Sequence, residues 1–218
     1  LALIGEGPVR DAAGTLMPAA EALSAAGLAP VELEAKEGLA LINGTDGMLG
    51  MLVLAIADLR LLLRTTDVAA AMSVEGQLGT DRVFAADLQA LRPHPGQALS
   101  AANLTAVLAG SGIVASHRGP EDTRVQDAYS VRCAPQVAGA ARDTLAHARL
   151  VADREAASAI DNPVLLPDGR IESNGNFHGA PVAYVLDFAA IVAADVASIS
   201  ERRTDRFLDK SRNHGLNP

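Results

Sequence analysis

The chain has 218 residues and a formal net charge of −8, with 18 Lys and Arg against 26 Asp and Glu. This acidic balance argues against nucleic acid or an anionic membrane as the main partner, because both attract clustered positive charge. The single cysteine, Cys133, excludes an intrachain disulfide framework and a multi-cysteine zinc site. Aromatic residues are only 3% of the chain, so Ala, Leu, Val and Ile must build the core. Small apolar faces let helices approach closely, so we expect a mainly α, long-helix protein. The single cysteine indicates the reducing environment of the cytoplasm.

The first half of the chain predicts helices separated by glycine and proline. Residues 1–18 predict a loop, and residues 18–26 predict a short helix ended by Gly27. The apolar run that begins at Met48 predicts two successive helices, over residues 48–67 and 68–78. The sequence RPHPG at 92–96 then predicts an extended turn, because each proline restricts itself and the residue before it. A helix is expected next, over 100–109.

The second half predicts the two longest helical segments. The first covers residues 136–160, and a small hairpin is expected around Pro167-Asp168-Gly169. The second covers residues 181–203 and is apolar enough to suggest a membrane span. Two carboxylates inside it, Asp187 and Asp195, would be costly in lipid, so we interpret it as a central helix of a soluble bundle.

A first polar cluster, LINGT at 41–45, interrupts the helical pattern. Its simplest interpretation is a turn, since Asn43 and Gly44 readily adopt the backbone angles that turns require.

A second cluster, VQDAYSVRC at 125–133, carries an amide, a phenol and a guanidinium. If the segment is helical, Gln126, Tyr129 and Arg132 lie at i, i+3 and i+6, roughly on one face. An arginine can bind a carboxylate through two parallel hydrogen bonds. A tyrosine phenol acts as a base only where its neighbours favour the anion. The alternative is a solvated helix start in which Tyr129 caps the core.

A third cluster, SNGNFHG at 173–179, precedes the longest helical segment. In a chain with so few aromatic residues, Phe177 between Asn176 and His178 is unexpected in a glycine-rich loop. It is either the wall of a pocket or a hydrophobic staple onto the following helix.

Several familiar catalytic patterns do not occur in the sequence. The five histidines have no metal-ligand spacing, and the sequence lacks HExxH, a P-loop, a dinucleotide fingerprint and a Gly-x-Ser-x-Gly elbow. These observations argue against a zinc hydrolase, a nucleotidase, a nicotinamide enzyme and a serine hydrolase, and no metal is expected.

Taken together and in order, LINGT, VQDAYSVRCAPQ, EAASAIDNP and NGNFHG resemble the aromatic amino acid lyase family. The resemblance extends from LIGEG at 3–7 to SERRTDR at 200–206, and RPHPGQ and YSVRC are closest to the branch that acts on histidine. It implies a bundle of long helices of the fumarase/aspartase-like ammonia-lyase type. It also implies a homotetramer with shared active sites. The implied reaction is elimination of ammonia from L-histidine, giving urocanate, through the electrophile 4-methylidene-imidazol-5-one (MIO), without an external cofactor.

The resemblance assigns roles to six residues. Tyr129 is the catalytic phenol and Arg132 binds the substrate carboxylate, while Gln126 lines the same site. Asn43 holds or helps to form the MIO, and Phe177 presses on the MIO or the substrate. Asn176 supports Phe177.

The sequence departs from the family in lacking the Ala-Ser-Gly that forms MIO. We therefore expect residues 1–218 to be the central section of one lyase domain, with that triplet upstream of Leu1. The chain alone is expected to be inactive, and sustained urocanate formation by it would refute this. The alternatives are a tyrosine or phenylalanine ammonia-lyase or aminomutase of the same family, and a non-catalytic helical scaffold.

Overall fold

The computed structural model describes residues 1–120, 122 and 124–217. They form two compact units, which are described separately. The first unit contains Leu1–Gly44 and Ile160–Phe177, and the second contains Thr45–Ala159 and His178–Pro218.

The first unit consists of two small antiparallel hairpins and two short helices. Strands β1 and β2 pair with Val9 opposite Met17, and β3 and β4 pair with Leu165 opposite Ile171. The bounds are β1 Pro8–Arg10, β2 Leu16–Pro18, α1 Ala19–Ala25, α2 Glu37–Ala40, β3 Val164–Leu165 and β4 Ile171–Glu172. The second hairpin and the helix that ends before Gly27 are confirmed. The loop expected over residues 1–18 is wrong, because that segment contains the β1–β2 hairpin.

The second unit is a helical bundle built around three long helices. The bounds are α3 Asp46–Gly76, α4 Ala86–Ala90, α5 Pro95–Val107, α6 Gly112–Ser116, α7 Tyr129–Arg132, α8 Ala134–Ala156 and α9 Ala180–Leu208. The long helices α8 and α9 confirm the prediction of a mainly α bundle. Residues 48–78 do not form two helices, because α3 runs through them without a break as far as Gly76.

Two apolar clusters hold this unit together. One lies between α3, α8 and α9 and the other joins α3 to α5, α6 and α7. Alanines of α8, including Ala138, Ala141 and Ala148, are almost fully buried in the first cluster. Small residues at these positions allow the long helices to pack closely.

The RPHPGQ segment lies at a close crossing of α5 and α8. Pro95 is the first residue of α5, a position where the missing N–H costs nothing. The backbone N–H of Gly96 donates to Asp143 Oδ1 of α8 at 2.8 Å. A Cβ placed on Gly139 of α8 would lie 2.3 Å from the backbone nitrogen of Gln97. The motif therefore has a packing role at the α5–α8 crossing.

We predict that Gly139→Ala destabilises the protein by about 1–3 kcal/mol, because the added methyl must push α5 away from α8. The matched control is Gly50→Ala in α3, where a Cβ meets open space. That change should stabilise the helix by about 0.5–1 kcal/mol. Denaturant unfolding of both variants measures the difference, and an unchanged midpoint for Gly139→Ala would contradict the close crossing.

Of the helices in the described part of the chain, α9 alone is long and apolar enough to cross a membrane by length and composition. It packs against α8 and α3, with Val182, Val185 and Ala189 buried in the shared core. It also contains a buried charge, because the side chain of Arg203 is only 4% exposed. These contacts favour the interpretation of α9 as a bundle helix.

Candidate functional site

The six candidate residues are divided between the two units. Asn43, Asn176 and Phe177 belong to the first unit, and Gln126, Tyr129 and Arg132 belong to the second. Each group is described within its own unit.

In the second unit, α7 presents the phenol and the guanidinium side by side. The Arg132 guanidinium carbon lies 5.9 Å from the centroid of the Tyr129 ring. Tyr129 is 71% exposed, so the interpretation in which it caps the core is wrong. The prediction that Gln126, Tyr129 and Arg132 share one helical face is also wrong. The helix α7 begins at Tyr129, and Gln126 lies outside it.

Arg132 is half-buried and has hydrogen-bonding capacity to spare. Its buried Nε has no hydrogen-bond partner among the residues that the structure describes. No carboxylate of the described ranges forms an ion pair with it. A partly desolvated guanidinium of this kind suits a carboxylate ligand, which it can bind in a fork of two N–H groups.

The α9 helix supports α7 from behind. Arg203 Nη1 donates to the backbone carbonyl of Ser130 at 3.2 Å. Burial lowers the pKa of the Arg203 guanidinium, since desolvation disfavours its charged form. The sequence SERRTDR contributed to the family resemblance, but nothing in its local pattern indicated this contact.

The segment that leads into α7 has its own anchors. Asp127 Oδ2 accepts a hydrogen bond from the backbone N–H of Thr80 at 2.6 Å. Further back, the side chain of Arg124 binds Asp122 and lowers the pKa of that carboxyl to about 2. Gln126, between these anchors, is exposed.

A recess of about 410 Å³ opens beside Tyr129. It is bounded by Ala128, Ser130 and Val137 and by the α9 residues Asp195, Ser198, Ile199, Arg202, Asp205 and Arg206, together with Arg212. The recess therefore brings charges of both signs next to the phenol. Within the described parts of the chain, no group of three His, Cys, Asp or Glu side chains lies close enough to hold a metal ion.

In the first unit, asparagines fix the loop that carries Asn176 and Phe177. Asn162 Oδ1 accepts the backbone N–H of Asn174 at 2.8 Å. Asn174 in turn donates to the carbonyl of Asp161 and accepts the backbone N–H of Asn176 at 2.8 Å. These hydrogen bonds hold the segments AIDNP and SNGN together. The sequence did not reveal this function of Asn162 and Asn174.

A lysine secures the same corner of the first unit. Lys36 Nζ lies 2.5 Å from Asp161 Oδ2 and donates to the carbonyl of Pro163. The hydrogen bond from Lys36 lowers the pKa of Asp161. Within this framework Asn43 and Asn176 are exposed, and Phe177 is half-exposed.

Three of the sequence motifs each have a residue in the second unit, and these three residues lie close together. The hydroxyl of Thr45, from LINGT, donates to Glu155 Oε1 of EAASAIDNP at 2.5 Å. Gly179, from NGNFHG, lies against the same corner, where a Cβ would come 2.7 Å from the sulfur of Met48 and 3.6 Å from Thr45 Cγ2. Thr45 is 1% exposed, so this junction is a packed one. Neither Thr45 nor Glu155 stood out in the sequence.

The described residues thus combine three long helices with an exposed phenol–guanidinium pair on a short helix. The sequence profile described as aromatic amino acid lyase matches residues 1–218. The chain belongs to the aromatic amino acid lyase family.

Individual relatives agree with that assignment. The chain is 67% identical to the histidine ammonia-lyase of Streptomyces coelicolor over 218 residues, which are 100% of this chain and 42% of that protein. Among solved structures, tyrosine aminomutase from Streptomyces globisporus superposes with a TM-score of 0.88 at 36% identity and covers 99% of this chain and 44% of its own. Histidine ammonia-lyase from Trypanosoma cruzi gives a TM-score of 0.82 at 36% identity, covering 98% and 40% of the two chains. The chain thus spans less than half the length of the relatives that it matches.

Proposed function

We propose that this chain is the central section of a histidine ammonia-lyase, which eliminates ammonia from L-histidine to give urocanate. The observation that carries the proposal is the pairing of Tyr129 and Arg132 within a chain 67% identical to a named histidine ammonia-lyase. The full-length protein is proposed to be a cytoplasmic homotetramer with active sites shared between subunits.

Arg132 is proposed to bind the substrate carboxylate. Its partly buried guanidinium offers parallel N–H donors and no described carboxylate competes for them. This contact fixes the orientation of the amino acid relative to α7, and such positioning removes part of the entropic barrier to reaction.

The phenol oxygen of Tyr129 is proposed to remove the β-proton of the substrate. The phenol lies on the same short helix as the guanidinium that would hold the carboxylate, with the guanidinium carbon 5.9 Å from the ring centroid, so one bound amino acid can contact both side chains. Gln126 is proposed to line the same site.

An MIO would be held by the exposed Asn43 amide and the half-exposed Phe177 ring, with Asn176 supporting the ring. An amide suits the polar edge of a planar heterocycle, and an aromatic ring suits its face. When present, the group supplies an electrophilic carbon that makes the amine a better leaving group. The Ala-Ser-Gly from which it forms is not in residues 1–218 and is proposed to lie upstream.

Offering L-histidine, L-tyrosine and L-phenylalanine separately to the full-length protein that carries this chain tests the proposal. We expect ultraviolet absorbance of urocanate from L-histidine and no arylacrylate from the other two. An arylacrylate or a β-amino acid as the main product would instead identify a tyrosine or phenylalanine enzyme. The structural likeness to tyrosine aminomutase makes that the second candidate.

A further inference from the structure

A groove between α3, α5 and α8 carries positive charge that the lyase chemistry does not use. It has a volume of about 530 Å³ and lies within the second unit. Four arginines line it, Arg60 and Arg64 from α3 and Arg142 and Arg149 from α8. Among the residues that the structure describes, no carboxylate lines it, although the chain as a whole has a net charge of −8.

Two of these arginines have no counter-ion within the described part of the chain. Arg60 and Arg64 are exposed and form no ion pair with any carboxylate in the described ranges. They are also four residues apart on one helix, where like charges repel and destabilise the helix by a few tenths of a kcal/mol. Both guanidiniums are therefore available to an anion that binds between the two side chains.

The other two arginines are only partly compensated. Arg149 lies 3.6 Å from Asp153, but both side chains are about two-thirds exposed, so the pair is weak. Arg142 binds the buried Asp67, yet its own Nε is buried with no partner among the described residues.

The remaining walls are apolar and contribute one amide. Ile56, Leu63, Leu99 and Leu145 line the groove, and Asn103 adds a polar side chain. A concave volume of this size suits a small ligand, because ligand pockets in proteins hold about 300–1,000 Å³. The mixture of apolar wall and clustered guanidinium suits a dianion joined to an apolar body.

We propose that the α3–α5–α8 groove binds a small phosphate monoester with an apolar or aromatic body. The guanidiniums bind the dianionic phosphate through charge-assisted hydrogen bonds, and the leucines and isoleucine cover the organic group. The proposal is independent of the lyase activity. The competing occupant is an acidic segment of the full-length protein or of another subunit, and the test distinguishes the two.

The experiment is isothermal titration calorimetry of phenyl phosphate into the full-length protein, with inorganic phosphate as the second ligand. Both should bind, and phenyl phosphate should bind more tightly because its ring reaches the apolar wall. The groove variant is Arg60→Gln/Arg64→Gln, which should raise the Kd of phenyl phosphate by about tenfold or more. Thermal unfolding confirms that the variant is folded.

The matched control is Arg82→Gln/Arg92→Gln. It makes the same change in net charge at two exposed arginines that do not line the groove, and it should leave the Kd within about twofold because exposed charges at a distance are screened by salt. Absence of phenyl phosphate binding to the unaltered protein would overturn the proposal, as expected if an acidic protein segment fills the groove. An equal loss in the control variant, or no loss in the groove variant, would also overturn it.

Discussion

Replacing Tyr129 by Phe in the full-length protein should lower kcat for elimination of ammonia from L-histidine by about 10²-fold or more, since a positioned acid–base group contributes 10²–10⁴-fold. The change removes one oxygen from a side chain that is 71% exposed. Because most of the side chain is in solvent, loss of the hydroxyl should leave thermal unfolding unchanged. A loss confined to kcat would identify a group that acts in the chemical step.

The chain provides a matched control, because it contains only two tyrosines. Tyr184 lies on α9 and is 74% exposed, much like Tyr129. Steady-state kinetics of Tyr184→Phe should match the unaltered protein. A scaffold without catalytic function would show no difference between the two variants, and so would an enzyme whose base lies elsewhere.

Replacing Asp67 by Ala should destabilise the fold by about 3 kcal/mol, because it leaves the largely buried side chain of Arg142 without its counter-charge. Asp67 is 3% exposed and receives hydrogen bonds from Ser100, Asn103 and Arg142. These donors come from α5 and α8, so one carboxylate of α3 connects three helices. Urea unfolding monitored by circular dichroism measures the loss.

A second substitution separates the buried charge from simple loss of packing. Adding Arg142→Met to Asp67→Ala removes the orphaned guanidinium and should recover about 1–3 kcal/mol. The free-energy coupling of this double-mutant cycle is the direct measurement. If the double variant is no more stable than Asp67→Ala, the cost comes from packing and not from the uncompensated charge.

The long elements of the fold could be predicted from the sequence because their signals are local. The periodic alanines of α8 and the apolar run of α9 indicated helices with nearly the correct bounds. Pro167-Asp168-Gly169 likewise indicated the β3–β4 hairpin. These elements follow from side-chain periodicity and turn chemistry, which any short window of sequence contains.

The errors arose where distant contacts decide the structure. The predicted division between residues 67 and 68 is wrong, because Thr66 and Asp67 are buried within the continuous α3. Asp67 is tolerated there because partners from α5 and α8 satisfy its carboxylate, which no local pattern shows. The β1–β2 hairpin was missed because its strands have three residues each and lie among glycines.

In the candidate site, too, features with local signals were predicted and features that depend on distant contacts were not. The spacing of Tyr129 and Arg132 predicted their proximity correctly, since residues three apart on a helix are neighbours. The residues that hold the loops in place were not recognised: Thr45 and Glu155 in one junction, Asn162 and Asn174 in the other. Their partners are 110 and 12 residues away in sequence. The roles of Asn43, Asn176 and Phe177 remain proposals.

We propose that Tyr129 and Arg132 bind and act on one amino acid substrate. A crystal structure of the full-length protein with bound urocanate tests it most directly. We predict that the urocanate carboxylate accepts two hydrogen bonds from Arg132 and that the phenol oxygen of Tyr129 lies beside the carbon chain next to that carboxylate. Urocanate bound in a site that contains neither residue would contradict the claim.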